Sequence, residues 1–254
     1  MIERWVEWVC SPMVLWAWTA LAGIVFVTLF KVTAPYGRHD RQGWGPSVPP
    51  HLGWFLMEIG TLIGMAACFW VGGVRSEVSV FLGLLYAGHY LYRSLLYPLL
   101  SSSSATPVSV SVVGLAVIFN VFNSTILGGW IFMLSPVEGF SLSIRWVGGI
   151  GLFLFGFIMH VRSDAILRHL RRDHGPGYHV PVGFFYRWVS CPNYLGEILQ
   201  WVGFAILVNA FAGWTFVAWT VANLVPRAVK HHRWYIERFD DYPSQRRAIF
   251  PGIL

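Results

Sequence analysis

Seven long apolar segments dominate this sequence, and several reach the roughly 20 residues that a helix needs to cross a bilayer. Only 12% of the residues are charged, whereas a soluble domain carries about 25%. We therefore predict an all-α, polytopic membrane protein in which residues 1–254 form a single seven-helix domain. The expected spans cover residues 12–32, 51–71, 78–100, 108–134, 144–159, 194–207 and 211–225, and the fifth continues as a helix through Asp164 and Arg171.

Lysine and arginine are distributed unequally between the two ends of these spans. If the C-terminus is cytoplasmic, fourteen of them lie on the cytoplasmic side and only Arg4, Arg75 and Arg145 lie opposite. Because short cytoplasmic loops carry the excess of basic residues, the N-terminus is predicted outside and the C-terminus inside, in a bacterial inner membrane or the endoplasmic reticulum. The fourteen residues are Lys31, Arg38, Arg41, Arg162, Arg168, Arg171, Arg172, Arg187, Arg227, Lys230, Arg233, Arg238, Arg246 and Arg247.

The formal charge of +6 follows from the same bias, so we expect the lipid bilayer rather than nucleic acid as the partner. The three cysteines, Cys10, Cys68 and Cys191, are odd in number and lack the Cys-x-x-Cys spacing of a metal site. They are expected to be small apolar core residues. We expect no metal ion, and a monomeric protein.

Polar side chains recur at helical spacing inside the predicted spans, where an ionisable group is costly and marks a functional site by default. Two interpretations of Glu58 are open. It is a helix-packing carboxyl whose partner is Arg93 or a hydroxyl group, or it is a carboxyl that burial keeps protonated so that it donates a hydrogen bond. Gly60 and Gly64 have the small-xxx-small spacing of close helix packing. The polar faces comprise His51, Trp54, Glu58 and Thr61 in span two, Tyr86, Tyr90, Arg93 and Tyr97 in span three, and Asn120, Asn123 and Ser124 in span four.

A second group of polar residues lies where spans five, six and seven end. A basic surface that binds anionic lipid explains the arginines but gives no role to Asn193, Glu197 or Tyr235. A dinucleotide explains both, because arginines and a helix N-terminus bind phosphates while carboxylates and amides bind ribose and nicotinamide. The group comprises His160, Asp164, Arg168 and Arg171, then Asn193, Glu197, Gln200 and Trp201 behind a cap at Ser190 or Cys191, and finally Arg227, His231, Tyr235, Arg238, Arg246 and Arg247.

A Rossmann domain is excluded as the nucleotide-binding unit. No Gly-x-Gly-x-x-Gly turn follows a predicted strand, and the glycines near Gly148 to Gly151 lie inside span five. Any dinucleotide site must therefore be built from helix ends and loops.

From span two onward the chain resembles the membrane steroid 5α-reductases. The resemblance is most specific at the C-terminal end, where about ten polar or aromatic positions are in register. The matching residues are Trp54-Phe55-Leu56 with Glu58, His89-Tyr90 with Arg93, Ser163-Asp164 through Arg171, Asn193 with Leu195-Gly196-Glu197-Ile198, and Arg227 with His231-His232, Tyr235, Phe239, Tyr242-Pro243 and Arg246.

The resemblance implies a seven-helix reductase that uses NADPH to reduce the C4–C5 double bond of a 3-oxo-Δ4-steroid. Carried over by position, Glu58 and Tyr90 hold the 3-oxo group, and Trp54, Met57 and Trp201 line the steroid pocket. Met57 stands where the family often has Gln, and His160 stands where well-known members have Asn. The implied nucleotide site comprises His160, Asp164, Arg171, Tyr178, Asn193, Glu197, Arg227, His231, Tyr235 and Arg246.

Other functions remain open at this point. The first alternative is an enzyme of the same fold that reduces another enone, such as a trans-2-enoyl thioester or a different sterol double bond. An isoprenylcysteine-type membrane methyltransferase also ends in a His- and Arg-rich segment, but its cofactor lacks phosphates, so the arginine excess disfavours it. A transporter or lipid-binding protein would use Glu58 as a proton relay.

Overall fold

The computed structural model describes residues 2–33, 35, 37–39, 43–100, 106–136, 139–175 and 177–254, with the backbone alone at Ile2 and Arg38. Arg41, which was assigned above to the cytoplasmic side, lies outside the described residues. The helices are α1 (Ile2–Val9), α2 (Pro12–Lys31), α3 (Pro50–Val71), α4 (Glu77–Leu91), α5 (Tyr97–Leu100), α6 (Val110–Gly129), α7 (Ile144–His174), α8 (Pro192–Val208) and α9 (Phe211–Arg238). Two 3₁₀ turns (Gly37–His39 and Phe184–Arg187) and two π-helical turns (Tyr92–Leu96 and Trp130–Leu134) complete the helical structure of this part of the chain.

Four of the described helices are long and apolar enough to cross a membrane. They are Pro12–Lys31, Pro50–Val71, Val110–Leu134 and Ile144–His174. Each begins within two residues of a predicted span, and α7 continues through Asp164 and Arg171 as expected. The chain is thus a mostly helical protein with four such spans, and the count of seven stays a prediction.

The prediction of an all-α fold is wrong in one detail. Ser47–Val48 (β1) and Val108–Ser109 (β2) form a two-stranded antiparallel sheet in which Ser47 lies opposite Ser109 and Val48 opposite Val108. Span four therefore begins its helix at Val110 rather than Val108. The reason is that Ser109 is the N-cap, with extended backbone angles and a side chain that accepts from the Val112 amide.

Helices α7 and α8 pack backbone to backbone through glycines. A Cβ atom on Gly156 would lie 2.3 Å from the Gln200 amide nitrogen and 2.5 Å from the Gly196 carbonyl oxygen. A Cβ on Gly203 would lie 2.5 Å from the Phe153 amide nitrogen. Because no side chain fits between them, the polar ends of both helices are held at contact distance.

Close packing also joins α3 to α6, as the spacing of Gly60 and Gly64 predicts. A Cβ on Gly64 would overlap the Ser124 hydroxyl, and one on Gly60 would lie 3.4 Å from Val121. Helices α8 and α9 form a tight hairpin. The connection is short because Asn209 ends α8 in the left-handed conformation, with a φ of 52°.

Candidate active site

A cavity of about 630 Å³ opens among the ends of the helices and the loops between them. Its lining comes from α3, the π-helical turn after α4, α5, α7, α8 and α9, together with the segments that precede α3, α6 and α8. Ten residues that the sequence assigns to the substrate and nucleotide sites line it together. They are Trp54, His160, Asp164, Arg171, Tyr178, Asn193, Glu197, Arg227, His231 and Tyr235.

One wall of the cavity is a buried polar cluster on the facing ends of α7 and α8. Asn193 donates from Nδ2 to Asp164 Oδ1 at 3.0 Å, and His160 donates from Nδ1 to the Asn193 carbonyl oxygen at 3.1 Å. The His160 ring, 1% exposed, also lies 3.5 Å from Asp164 Oδ2 and 3.6 Å from Glu197 Oε2. His160 thus holds the Asn193 backbone through one hydrogen bond and lies within 3.6 Å of both carboxylates at the cavity wall.

A second part of the lining, the basic wall, consists of basic and aromatic side chains. Arg227 donates from Nε to the Tyr194 hydroxyl at 3.3 Å, and the Arg171 guanidinium lies 6.0 Å from the Tyr178 ring. Planar guanidinium groups match the geometry of phosphate oxygens, and aromatic rings provide surfaces on which a base stacks. This wall therefore suits a phosphate-bearing nucleotide.

Arg246 lies apart from the cavity lining, although the sequence places it in the nucleotide site. Its side chain is 3% exposed, and its guanidinium carbon lies 5.1 Å from the Tyr242 ring centroid. The Nε and Nη1 atoms have no hydrogen-bond partner among the described residues. Unpartnered buried cationic donors suit an anionic ligand, but Arg246 is not part of the cavity lining, so its place in the nucleotide site stays a prediction.

At the α3 end of the cavity, Arg93 connects Glu58 to the lining. Arg93 Nη2 donates to Glu58 Oε1 at 3.1 Å, and its guanidinium lies 5.1 Å from the Trp54 ring and 5.2 Å from the Tyr97 ring. Arg93, Trp54 and Tyr97 line the cavity, whereas Glu58 lies directly behind Arg93. The pairing that the packing interpretation of Glu58 requires is therefore present.

The remaining predicted substrate residues lie in the core beside the cavity. Tyr90 and Trp201 are buried with ring centroids 5.8 Å apart, and His89 Nδ1 lies 3.0 Å from Gln200 Oε1. Met57 is buried, and its carbonyl oxygen accepts from Asn120 at 2.7 Å. Glu58, Met57, Tyr90 and Trp201 therefore surround the α3 end of the cavity without lining it.

Several lining residues were not predicted from the sequence. Tyr194 lies inside the motif that carries Asn193 and Glu197, and its position next to Asn193 is the signal that identifies it. Gly37, Thr106 and Val108 come from segments far away in the chain, and no local pattern marks them.

Comparison with known proteins identifies the family. A family model described as 3-oxo-5-alpha-steroid 4-dehydrogenase matches residues 106–254. The chain is 37% identical to "Steroid 5-alpha-reductase DET2" of Gossypium hirsutum over 235 residues, which cover 90% of this chain and 91% of that protein. It is 36% identical to the Arabidopsis thaliana protein of the same name, over 89% of this chain and 90% of that one.

An animal protein matches over a similar length. "3-oxo-5-alpha-steroid 4-dehydrogenase 1" of Rattus norvegicus is 32% identical over 241 residues, 92% of each chain. The family model's match, residues 106–254, contains α6 to α9 and so the parts of the cavity lining that α7, α8 and α9 supply. On this evidence the chain is an oxidoreductase that belongs to the 3-oxo-5-alpha-steroid 4-dehydrogenase family, the membrane steroid 5α-reductases.

Proposed function

We propose that this protein reduces the C4–C5 double bond of 3-oxo-Δ4-steroids to 5α-3-oxosteroids with NADPH. The observation that supports it best is that one cavity joins the aromatic α3 end at Trp54 to the polar wall at Asp164 and the basic wall at Arg227. A flat apolar ring system suits the first part and a phosphate-bearing nucleotide suits the others. The steroid pocket is proposed for spans two to four, and most of the nucleotide site for residues 160–254, in a monomer.

The proposed nucleotide site separates phosphate binding from recognition of the ribose and the nicotinamide. Arg171 and Arg227 bind phosphates on the basic wall. Asp164, Asn193 and Glu197 accept from and donate to ribose hydroxyls and the carboxamide on the other wall, where Asn193 donates to Asp164 and His160 holds the Asn193 backbone. Tyr178, His231 and Tyr235 supply flat rings along the cavity.

The chemistry that NADPH supplies when bound is a hydride for steroid C5. Hydride addition to a conjugated enone leaves negative charge on the 3-oxygen, so donors held at that oxygen in a dry site lower the barrier. In comparable oxyanion holes one donor contributes roughly 3–4 kcal/mol. We propose that Glu58 and Tyr90 are those donors and that water or Tyr90 protonates C4.

The contact with Arg93 indicates which Glu58 oxygen would donate. Arg93 contacts Oε1, and a guanidinium also donates to the carbonyl oxygen of a neutral carboxyl group, although this hydrogen bond is weaker than one to a carboxylate. We propose that Oε2 carries the proton that the 3-oxo group accepts.

Steroid turnover tests this function. Purified protein is incubated with a 3-oxo-Δ4-steroid and NADPH, and the products are separated by their stereochemistry at C5. A 5α-3-oxosteroid is the expected product. Two results would contradict the proposal. One is reduction of a trans-2-enoyl thioester but not of the steroid, and the other is binding of S-adenosylmethionine instead of NADPH.

We expect NADPH to bind at least tenfold more tightly than NADH, because Arg171 and Arg227 provide cations for a 2′-phosphate in addition to the pyrophosphate. Arg171→Ala should weaken NADPH binding about tenfold and reduce the preference for NADPH over NADH. Isothermal titration with each nucleotide measures both effects.

Arg172→Ala is the matched control for that experiment. Its side chain is 70% exposed and pairs with Asp173 at 3.1 Å, outside the cavity lining. Little change in NADPH affinity is expected, and little change in stability either, since an exposed ion pair contributes little to the free energy of folding. Equal affinities for NADPH and NADH in the unmodified protein would show that the arginines have another role.

Seven crossings are proposed for the whole domain. Besides the four long apolar helices, α4 continues through the π-helical turn and α5 to Leu100, α8 has 17 residues, and α9 has an apolar first half. A reporter fused after Leu254 is expected in the cytoplasm, and one fused before Met1 on the opposite side. Reporters that place both ends on the same side would exclude an odd number of crossings.

A further inference from the structure

The segment after α9 returns to the start of α8 and pairs with it. The Arg247 amide donates to the Trp188 carbonyl oxygen at 2.9 Å, and the Ser190 amide donates to the Arg247 carbonyl oxygen at 2.8 Å. The Cys191 amide donates to the Ala248 carbonyl oxygen at 3.1 Å. Ala248 and Ile249 are buried in one cluster with Cys191 and Leu195. This tail segment, residues 239–249, therefore anchors the first turn of α8.

The Ser190 hydroxyl lies where the tail segment, α9 and α8 meet. Its Oγ is 2.6 Å from His232 Nδ1, 2.6 Å from the Tyr242 hydroxyl and 3.2 Å from the Arg247 carbonyl oxygen. Ser190 is only 4% exposed, yet it is part of the cavity lining. One buried hydroxyl thus contacts groups from two other segments. The sequence suggested Ser190 as a helix cap, but no side chain caps α8.

The protonation states of its partners are consistent with this arrangement. Burial, together with the nearby Arg247 and Arg246 cations, lowers the pKa of His232, so the ring is neutral at pH 7 and Nδ1 can accept. Burial raises the pKa of Tyr242, so its hydroxyl keeps its proton. Tyr242 then donates to Ser190 Oγ. The single Ser190 hydroxyl proton goes to His232 Nδ1 at 2.6 Å, the shorter contact, rather than to the Arg247 carbonyl oxygen at 3.2 Å.

The first turn of α8 carries the nucleotide-facing amide. Asn193 lies three residues after Ser190 and donates to Asp164, while its carbonyl oxygen accepts from His160. Loss of the Ser190 hydroxyl removes a hydrogen-bond partner from the half-buried His232 ring and from the buried Tyr242 phenol. The backbone hydrogen bonds between the tail segment and the start of α8 remain, but the side-chain contact that fixes their relative position is lost.

We propose that Ser190 is a positioning residue for the reduction, whose hydroxyl locks the tail segment and α9 onto the first turn of α8 so that Asn193 and Glu197 face the nucleotide. The proposal rests on the proposed NADPH function. It assigns Ser190 no contact with the reacting atoms. Its loss should therefore change nucleotide affinity and leave the chemical step nearly intact.

Titration of the purified full-length protein with NADPH, followed by tryptophan fluorescence, gives the Kd, and steady-state turnover gives KM and kcat. Ser190→Ala is expected to raise Kd and the KM for NADPH about tenfold and to change kcat less than twofold. Ser190→Thr keeps a hydroxyl and should restore most of the affinity. Ser244→Ala is the matched control, because Ser244 is exposed in the same tail segment.

The outcomes separate this inference from the proposed function. If the unmodified protein does not bind NADPH, both fail together. If it binds NADPH and a folded Ser190→Ala protein binds it equally well, only the positioning role is wrong, even where thermal stability falls. Should Ser190→Ala not fold, Tyr242→Phe decides, since it removes one hydroxyl but keeps the ring stacked on Tyr235 at 5.3 Å. A threefold weaker Kd supports the role, and an unchanged Kd overturns it.

Discussion

Replacing Glu58 with leucine is expected to lower kcat for steroid reduction at least a hundredfold while the Kd for NADPH changes less than twofold. The loss falls on kcat because the 3-oxygen becomes negative only in the transition state. NADPH affinity is preserved because the nucleotide-facing residues lie on α7, α8 and α9, whereas Glu58 lies on α3. Steady-state kinetics and nucleotide titration on the same preparation measure both quantities.

Two further variants test the proposed role of Glu58. Glu58→Gln keeps an acceptor for Arg93 and a donor for the ketone, so it should retain part of the turnover. Tyr90→Phe should behave like Glu58→Leu, and the double variant should be no worse than the poorer single one if both donors act on one oxygen.

The packing interpretation, in which Glu58 only pairs with Arg93, predicts a different result for Glu58→Leu. Without Glu58, a buried guanidinium loses its partner, and the protein should lose stability. Turnover is therefore normalised to the fraction that binds NADPH. A Glu58→Leu protein with full turnover per NADPH site would falsify the catalytic role and leave packing as the function of Glu58.

A large loss of stability is expected for Gly156→Ala. The new Cβ would lie 2.3 Å from a backbone nitrogen of α8 and 2.5 Å from a backbone oxygen, and neither atom can rotate away. The two helices must separate, at a cost of about 3 kcal/mol or more. Because Asp164 and Asn193 meet across this contact, NADPH binding should weaken as well. Thermal unfolding in detergent and nucleotide titration measure the two effects.

Gly151→Ala on the same helix is the matched control. A Cβ at Gly151 meets no atom within 4 Å among the described residues. The substitution is expected to be neutral or slightly stabilising, since alanine favours helix more than glycine does. Equal stability of both variants would mean that α7 and α8 separate at little cost.

Local sequence patterns determined most of the helical architecture. The predicted start at residue 12 and the end at residue 71 agree with α2 and α3, and the extension of α7 past Asp164 was also predicted correctly. These features depend on apolar length and on helical periodicity, which a single segment carries by itself. The short sheet before α6 was missed because 59 residues separate its two strands, which the packing of α3 against α6 brings together.

In the candidate site, too, some features follow from one segment of sequence and others only from tertiary packing. Helical spacing placed Asp164 and Arg171 on one face and identified Asn193 with Glu197, and these residues do line one cavity. Spacing alone did not decide whether Glu58 pairs with Arg93, where Arg246 lies, or what Ser190 contacts. Each of these depends on how close two distant segments approach, and that distance is set by glycine contacts such as Gly156 against Gly196 and by the return of the tail segment. The sequence by itself identified ten residues that line one cavity. Only tertiary packing decided their partners, because hydrogen bonds act over about 3 Å whereas helical periodicity orders one segment at a time.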